Sequence, residues 1–368
     1  MLSTWSSVGA TTAMVKVVLV LSLAGDRTVA AQVRGAGQAE SDPIKLGRAE
    51  DYNVTGLLSD RGGDCHVYKG IHLASGREVA IKVHKPGISL RQIKKEIQIT
   101  QHLAGGPNIV KLLDIVPAWP SGRPCLIFEF ITATSDSIST TSNLTDSLVR
   151  HWAFEFLKAL NFTHSQGVIH FDMRFDNFLY DDKSRQGRLI DFLDAHFDSS
   201  SDDYCDVNPE DSVMPPESRL KGVRYGSAWD MWGFGCLLAT LVLHGIFFTG
   251  PSGDGQWVDI VEVLGTDAFL AWARKYHLQL DEDLPEALGS SHHPGTEWSE
   301  FVDEANSHLA SPELFDLLDR LLVFDPEGRL SAGQAMSHRY FDPVRRREGR
   351  CHEEDMQADH CPSAHNSP

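Results

Sequence analysis

Basic residues are scarce in this chain. Its 33 Lys and Arg stand against 51 Asp and Glu, a formal net charge of −18 over 368 residues. A chain of that sign repels phosphate backbones, which argues against nucleic acid as a partner. Cysteine is scarce too. Cys65, Cys125, Cys205, Cys236, Cys351 and Cys361 are scattered with no CxxC pair, which argues against a zinc site and against a dense disulfide framework. No stretch is long enough to span a bilayer as an apolar helix, and no internal repeat is visible. Apolar content is not scarce. At 42% it is too high for a disordered chain and ample for a sizeable core. The length suggests two or three folding units.

The N-terminus admits two readings. Val17 to Ala24 (VVLVLSLA) follows Lys16, and Val29-Ala30-Ala31 offers small residues suited to a signal peptidase. Residues 1–31 are then a secretory signal peptide. The other reading is an accidental apolar leader, or an extension upstream of the true start. The residues leave both open, and with them the compartment. Sequons at Asn53, Asn143 and Asn161 matter only on the secretory reading. Residues 32–48 are small and polar and read as a flexible linker. Residues 343–368 are charged and helix-poor, and read as a disordered tail.

Between these ends the hydrophobic period changes. From about residue 49 to 131 the pattern is short strands with one helix. VAIKV at 79–83 is an apolar strand around Lys82, and CLIFEF at 125–130 is another. Ser89 to Leu103 reads as a helix opened by a Ser89–Gln92 capping box, with Leu90, Ile93 and Ile97 on one face. From Thr145 the pattern is helical. Residues 148–164 form an amphipathic run, and 229–244 (WDMWGFGCLLATLVLH) are apolar nearly all round, the mark of a buried helix.

Six polar residues stand out against this frame. Lys82 lies inside an apolar strand, where an unpaired ammonium is costly. Glu96, fourteen residues on and on the capped helix, is its natural partner. His170, Asp172 and Asn177 form an HxDxxxxN pattern after a long helix and before the strand FLY. Asp191 follows the apolar pair Leu189-Ile190, fourteen residues after Asn177. A positioned lysine, a carboxylate to accept a proton, and an amide with a second carboxylate to hold Mg²⁺ are the parts that phosphoryl transfer requires. Arg174 adds a positive charge beside them. Pro215-Pro216-Glu217, Asp230 and Arg329 read as framework, with Arg329 the expected buried partner of Glu217.

These motifs resemble eukaryotic protein kinases. The phrases KKEIQI, GGPNIVKLLDIV, LKALNFTHSQGVIHFD, WDMWGFGCLLA, VEVLGT and AMSHRYF resemble the catalytic (alpha) subunit of casein kinase 2 over roughly residues 50–342. The resemblance implies an α+β fold of two lobes in a domain at 49–342. The β-rich N-lobe would cover about 49–131 and the mainly helical C-lobe about 132–342. It implies an ATP-dependent serine/threonine kinase with Mg²⁺ as second cofactor and protein as substrate. Asp172 would be the base, with Lys82 and Arg174 on the phosphates and Asn177 and Asp191 on the metal. Phe128 would be the gatekeeper, Glu129 and Ile131 the adenine-binding hinge, and Val67, Ala80, Leu179 and Ile190 the walls around adenine. Relatives also bind a regulatory subunit. Their compartments are nucleus and cytoplasm.

Four departures weigh against a simple transfer. The glycine-rich loop keeps only Gly62 and Val67 of its pattern, and Asp60 replaces its first glycine. A carboxylate there should weaken ATP binding unless it turns away. Leu193 replaces the glycine of DFG and should restrict how Asp191 is set. Phe171 replaces the arginine of HRD, so a phosphate on the activation loop has lost its usual grip. Residues 192–216 hold no Lys or Arg and seven acidic residues, which disfavours acidic peptides. These changes also support a second reading, a pseudokinase acting as a binding or scaffold module.

Overall fold

The computed structural model describes residues 44–60, 64–118, 121–132, 138, 144–198, 214–219, 226–243, 248, 254–277 and 292–349. They divide into two units. The first comprises residues up to Ile93 together with Lys111–Phe130, and the second holds Lys94–Val110 and everything from Ile131 onward. The first unit thus ends at Phe130, and most of the capped helix packs with the second.

The first unit is a five-stranded antiparallel sheet. Its strands are β1 (Tyr52–Ser59), β2 (Cys65–His72), β3 (Arg77–His84), β4 (Leu112–Pro117) and β5 (Pro124–Glu129), in the order β1-β2-β3-β5-β4. Strand residues alternate between faces. Val79 and Ile81 meet Val116, Cys125 and Ile127 in a buried cluster, with Tyr52, Tyr68 and Val83 packed against it. The Gly47 N–H donates to Ile115 O at 2.8 Å, so the last residues of the presumed linker are tied to β4.

Helix α1 (Leu90–His102) starts as the sequence predicts. The Gln92 N–H donates to Ser89 Oγ at 3.2 Å, and the Ser89 N–H donates to Gln92 Oε1 at 3.0 Å. Ile93, Ile97 and Leu103 are fully buried, but Leu90 is 48% exposed. Leu90 stands in the first turn, before the apolar stripe turns inward, and does not join it.

The second unit is mainly helical. Helices α2 (Asp146–Ser165) and α3 (Ala228–Leu243) form its core. Trp152, Phe156, Phe178 and Phe234 pack together there, with the Phe156 and Phe178 rings stacked at 4.3 Å. Around them lie α4 (Asp254–Leu264), α5 (Thr266–Lys275), α6 (Pro312–Leu321) and α7 (Ala332–Met336). Two small antiparallel pairs complete the unit: β6 (Val168–Ile169) with β9 (His196–Phe197), and β7 (Phe178–Asp181) with β8 (Gln186–Leu189). The order extends past residue 342, contrary to the expected tail. Residues 342–349 are helical. Val344 is buried, and the Glu348 carboxylate pairs with Lys158 on α2 at 2.5 Å.

The framework pair forms as expected. Arg329 donates from Nη1 and Nη2 to Glu217 Oε1 and Oε2, both at 2.6 Å, with the two side chains 0% and 3% exposed. The guanidinium also donates to Val323 O and Ala228 O. So satisfied, a buried ion pair holds one geometry. No helix among the described residues is long and apolar enough to cross a membrane.

Candidate active site

In the first unit the strand register collects the expected nucleotide residues. Val67 pairs with Lys82, Lys82 with Leu126 and Ala80 with Phe128 across β2, β3 and β5. Directly paired residues share a face, so Val67, Ala80, Lys82 and Phe128 point to one side of the sheet. Lys82 is only 4% exposed. At the end of β5 the Glu129 N–H donates to Lys111 O at 3.0 Å, and its carboxylate accepts from the Lys111 N–H at 3.1 Å. Both bonds fix the strand end that leads to Ile131.

In the second unit α2 delivers the chain through β6 to the loop 170–177. Asp230, at the start of α3 and 0% exposed, anchors it. Its Oδ2 accepts from the His170 N–H at 2.8 Å and its Oδ1 from the Phe171 N–H at 2.9 Å. His164 Nε2 lies 2.8 Å from Oδ2. These bonds hold Phe171 at φ +66°, a left-handed conformation that bulky residues avoid. Burial pushes the Asp230 carboxyl up, but the bond from His164 and the neighbouring positive charge outweigh it, and the group sits below its ordinary value. The sequence marked Asp230 only as the opening of a helix and passed over His164. An acid inside an apolar run was the available signal, since such a group requires buried donors.

Asn177 ends a short 3₁₀ turn, Phe175–Asn177. Its Nδ2 donates to Asp172 O at 2.9 Å and to Asp172 Oδ2 at 2.6 Å. The amide nitrogen is therefore spent on Asp172, and the amide oxygen is the end left to a cation. Burial pushes the Asp172 carboxyl above the ordinary aspartate value. His170 opposes that shift, and the Asp191 charge adds to it. The two carboxylates thus feel each other.

Asp191 is carried by β8. Asn108 accepts the Leu189 N–H at 2.7 Å, and the Ile190 N–H donates to Asn177 O at 2.9 Å. His170 Nε2 lies 3.0 Å from Ile190 O. Ile190 therefore lies opposite Asn177, and Leu179 pairs with Arg188 two residues along the hairpin. Asp191 itself takes φ +61°, which aspartate tolerates better than most residues. Leu193 is not among the residues of positive φ, so leucine costs no backbone strain in this arrangement. Its N–H donates to Asp191 Oδ1 at 3.3 Å, and its side chain is 4% exposed. The expected restriction thus becomes a buried anchor.

Phe171 is buried by rings. It meets Trp229 at 5.1 Å and His196 at 5.6 Å, both edge to face. His196 Nε2 in turn lies 2.9 Å from Lys95 Nζ on α1. An aromatic stack thus surrounds Phe171 at the position of the pattern's arginine. Arg174 lies 3.8 Å from Asp176. Glu96 is fully buried and belongs to the second unit, whereas Lys82 belongs to the first. Gly62 and the acidic stretch 199–213 lie outside the described residues.

Asp172, Asn177 and Asp191 are thus brought together on one loop and hairpin. A family model described as protein kinase domain matches residues 60–341, most of the chain. The chain belongs to that family, a class of phosphotransferases that use ATP and act on proteins.

Proposed function

We propose that this protein is a serine/threonine kinase of the casein kinase 2 type that transfers the ATP γ-phosphate to protein hydroxyls with Mg²⁺. The observation that carries the reading is the Asn177 amide fixed on Asp172 at 2.6 Å. It aims the proton acceptor and the amide oxygen from one short turn.

The residues fit the cofactors. Among the described residues no cluster of three or more His, Cys, Asp or Glu is shaped to hold a metal. Asn177 and Asp191 supply only two ligands. That suits Mg²⁺, which takes one or two protein ligands and completes its shell with phosphate and water. Val67, Ala80 and Phe128 offer an apolar surface on the face that bears Lys82, as a purine requires. When bound, Mg-ATP supplies the transferable phosphoryl group and screens its charge.

The chain's own residues do the rest. Asp172 accepts the substrate hydroxyl proton, and its raised affinity for protons suits that task. Asn177 orients Asp172. Lys82 and Arg174 offset phosphate charge. Glu129 and Ile131 hold adenine through their backbone groups. A regulatory subunit of the casein kinase 2 type remains part of the proposal as a partner. The acidic stretch 192–216 supports tolerance of neutral or basic peptides, in contrast to the family's acidic preference.

Incubation with radiolabelled ATP and a mixed protein substrate, followed by phosphoamino-acid analysis, tests the reading. We expect phosphoserine and phosphothreonine, lost on chelation of Mg²⁺. Label confined to tyrosine would refute the hydroxyl class. A peptide array that selects strongly for Asp or Glu after the acceptor would refute the altered specificity.

A further inference from the structure

Asp60 stands where a nucleotide-covering loop would begin, at the end of β1. A carboxylate in that place faces the phosphates or turns from them, and the geometry decides which. Its Oδ1 accepts from His66 Nδ1 at 2.7 Å and lies 3.5 Å from Lys85 Nζ. The register fixes the side of the sheet. Val67 pairs with Lys82 and shares its face, while His66 pairs with Val83. Successive residues alternate, so His66 and Lys85 lie on the face opposite Lys82. Ser59 pairs with Val67, and the next residue, Asp60, falls on the His66 side. The His66 ring is also braced by Tyr68, at 6.2 Å between centroids. That face carries the Val79–Ile127 cluster and none of Val67, Ala80, Lys82 or Phe128.

We infer that His66 and Lys85 are positioning residues that hold the Asp60 carboxylate on the far face of the sheet, and so keep its charge from an ATP triphosphate. The inference rests on the proposed ATP site. Asp60 then offsets in part what the lost glycine gave. An ion-paired anchor fixes where the loop leaves β1, in place of a flexible hinge. The partners have distinct parts. His66 supplies the directed hydrogen bond, and Lys85 supplies charge. Removing both frees the carboxylate to swing about its strand end. A full negative charge brought within about 8 Å of Mg-ATP, which carries about two net negative charges, weakens its binding about fivefold in water.

The test is a mutant cycle read by calorimetry on the full chain, with Mg-ATP and adenosine as the two probes. His66→Gln with Lys85→Met should weaken Mg-ATP about fivefold and leave adenosine within about twofold, since adenosine lacks phosphates. Adding Asp60→Asn to that pair should restore most of the ATP affinity. The gain from Asp60→Asn should be several-fold larger in the released background than in the native one, the signature of coupled residues. The same Asp60→Asn gain in both backgrounds would overturn the inference. So would equal losses for ATP and adenosine, which mark general damage to the sheet, and an unchanged melting temperature in each variant guards that comparison. A native protein that binds neither probe would instead defeat the proposed ATP site.

Discussion

Asp230→Asn probes the anchor of the catalytic loop without changing side-chain size. Asp230 is 0% exposed and accepts three bonds of 2.8–2.9 Å, from the His170 and Phe171 backbone N–H groups and from His164. Asparagine turns one oxygen into a donor, so at least one N–H group loses its acceptor. An unsatisfied buried donor costs about 1–3 kcal/mol, and losing a charge-assisted bond costs about 1.5–3 kcal/mol. The sum is about 2.5–6 kcal/mol. At about 2–4 °C per kcal/mol for a domain of this size, the melting temperature should fall by roughly 10 °C. The turnover rate should fall more than ATP affinity, because Asp230 sets the loop that carries Asp172 and none of the adenine walls. The carboxyl lies below its ordinary value when folded. Its stabilisation is therefore complete above the unfolded value, near 3.9, and fades as pH falls through the lower folded value. The gap between wild type and variant should stay constant from neutral pH to about pH 4 and close only below. Thermal unfolding by circular dichroism, with calorimetry for ATP, measures each part. A variant that melts within about 2 °C of wild type and turns over normally would refute the reasoning.

Three further outcomes follow from the same geometry. Arg329→Met strands the buried Glu217 carboxylate and should cost about 3–5 kcal/mol by urea denaturation; a loss under 1 kcal/mol would contradict the buried bidentate pair. In nucleotide-free protein, Asp172 should titrate above the ordinary aspartate value, near 3.9, because burial and then Asp191 raise it despite His170. Carbon-detected NMR reads this directly, and titration at or below 3.9 would contradict it. In Gly233→Ala the new Cβ would stand 2.5 Å from Met173 Cβ, so Met173 and the loop beside it must shift. Turnover should fall at least tenfold with the fold retained by circular dichroism, and normal turnover would contradict the close packing of α3 on the loop.

The most legible parts of the fold were those governed by local chemistry. The Ser89–Gln92 box set the start of α1, the strand VAIKV set β3, and the all-apolar run set the buried helix α3. The order and spacing of Lys82, Glu96, Asp172, Asn177 and Asp191 carried the kinase family. What the sequence hid depended on register and packing. Asp60 read as a threat to phosphate because its facing cannot be known before the β1–β2 pairing is. Leu193 read as a restriction because its backbone angle is a tertiary outcome. Leu90 belonged to the right period, yet it falls in the first turn, before the buried stripe. The chain at 342–349 lacks helical signals of its own, and its contacts to α2 supply what propensity does not.

The central claim is that Asp172 moves a proton for phosphoryl transfer. Transfer of radiolabel from ATP to a protein substrate, measured for wild type beside Asp172→Asn, tests it most directly. The account predicts transfer by wild type and a loss of at least about 10²-fold in the variant, with Mg-ATP still bound. Equal transfer by the two proteins would contradict it.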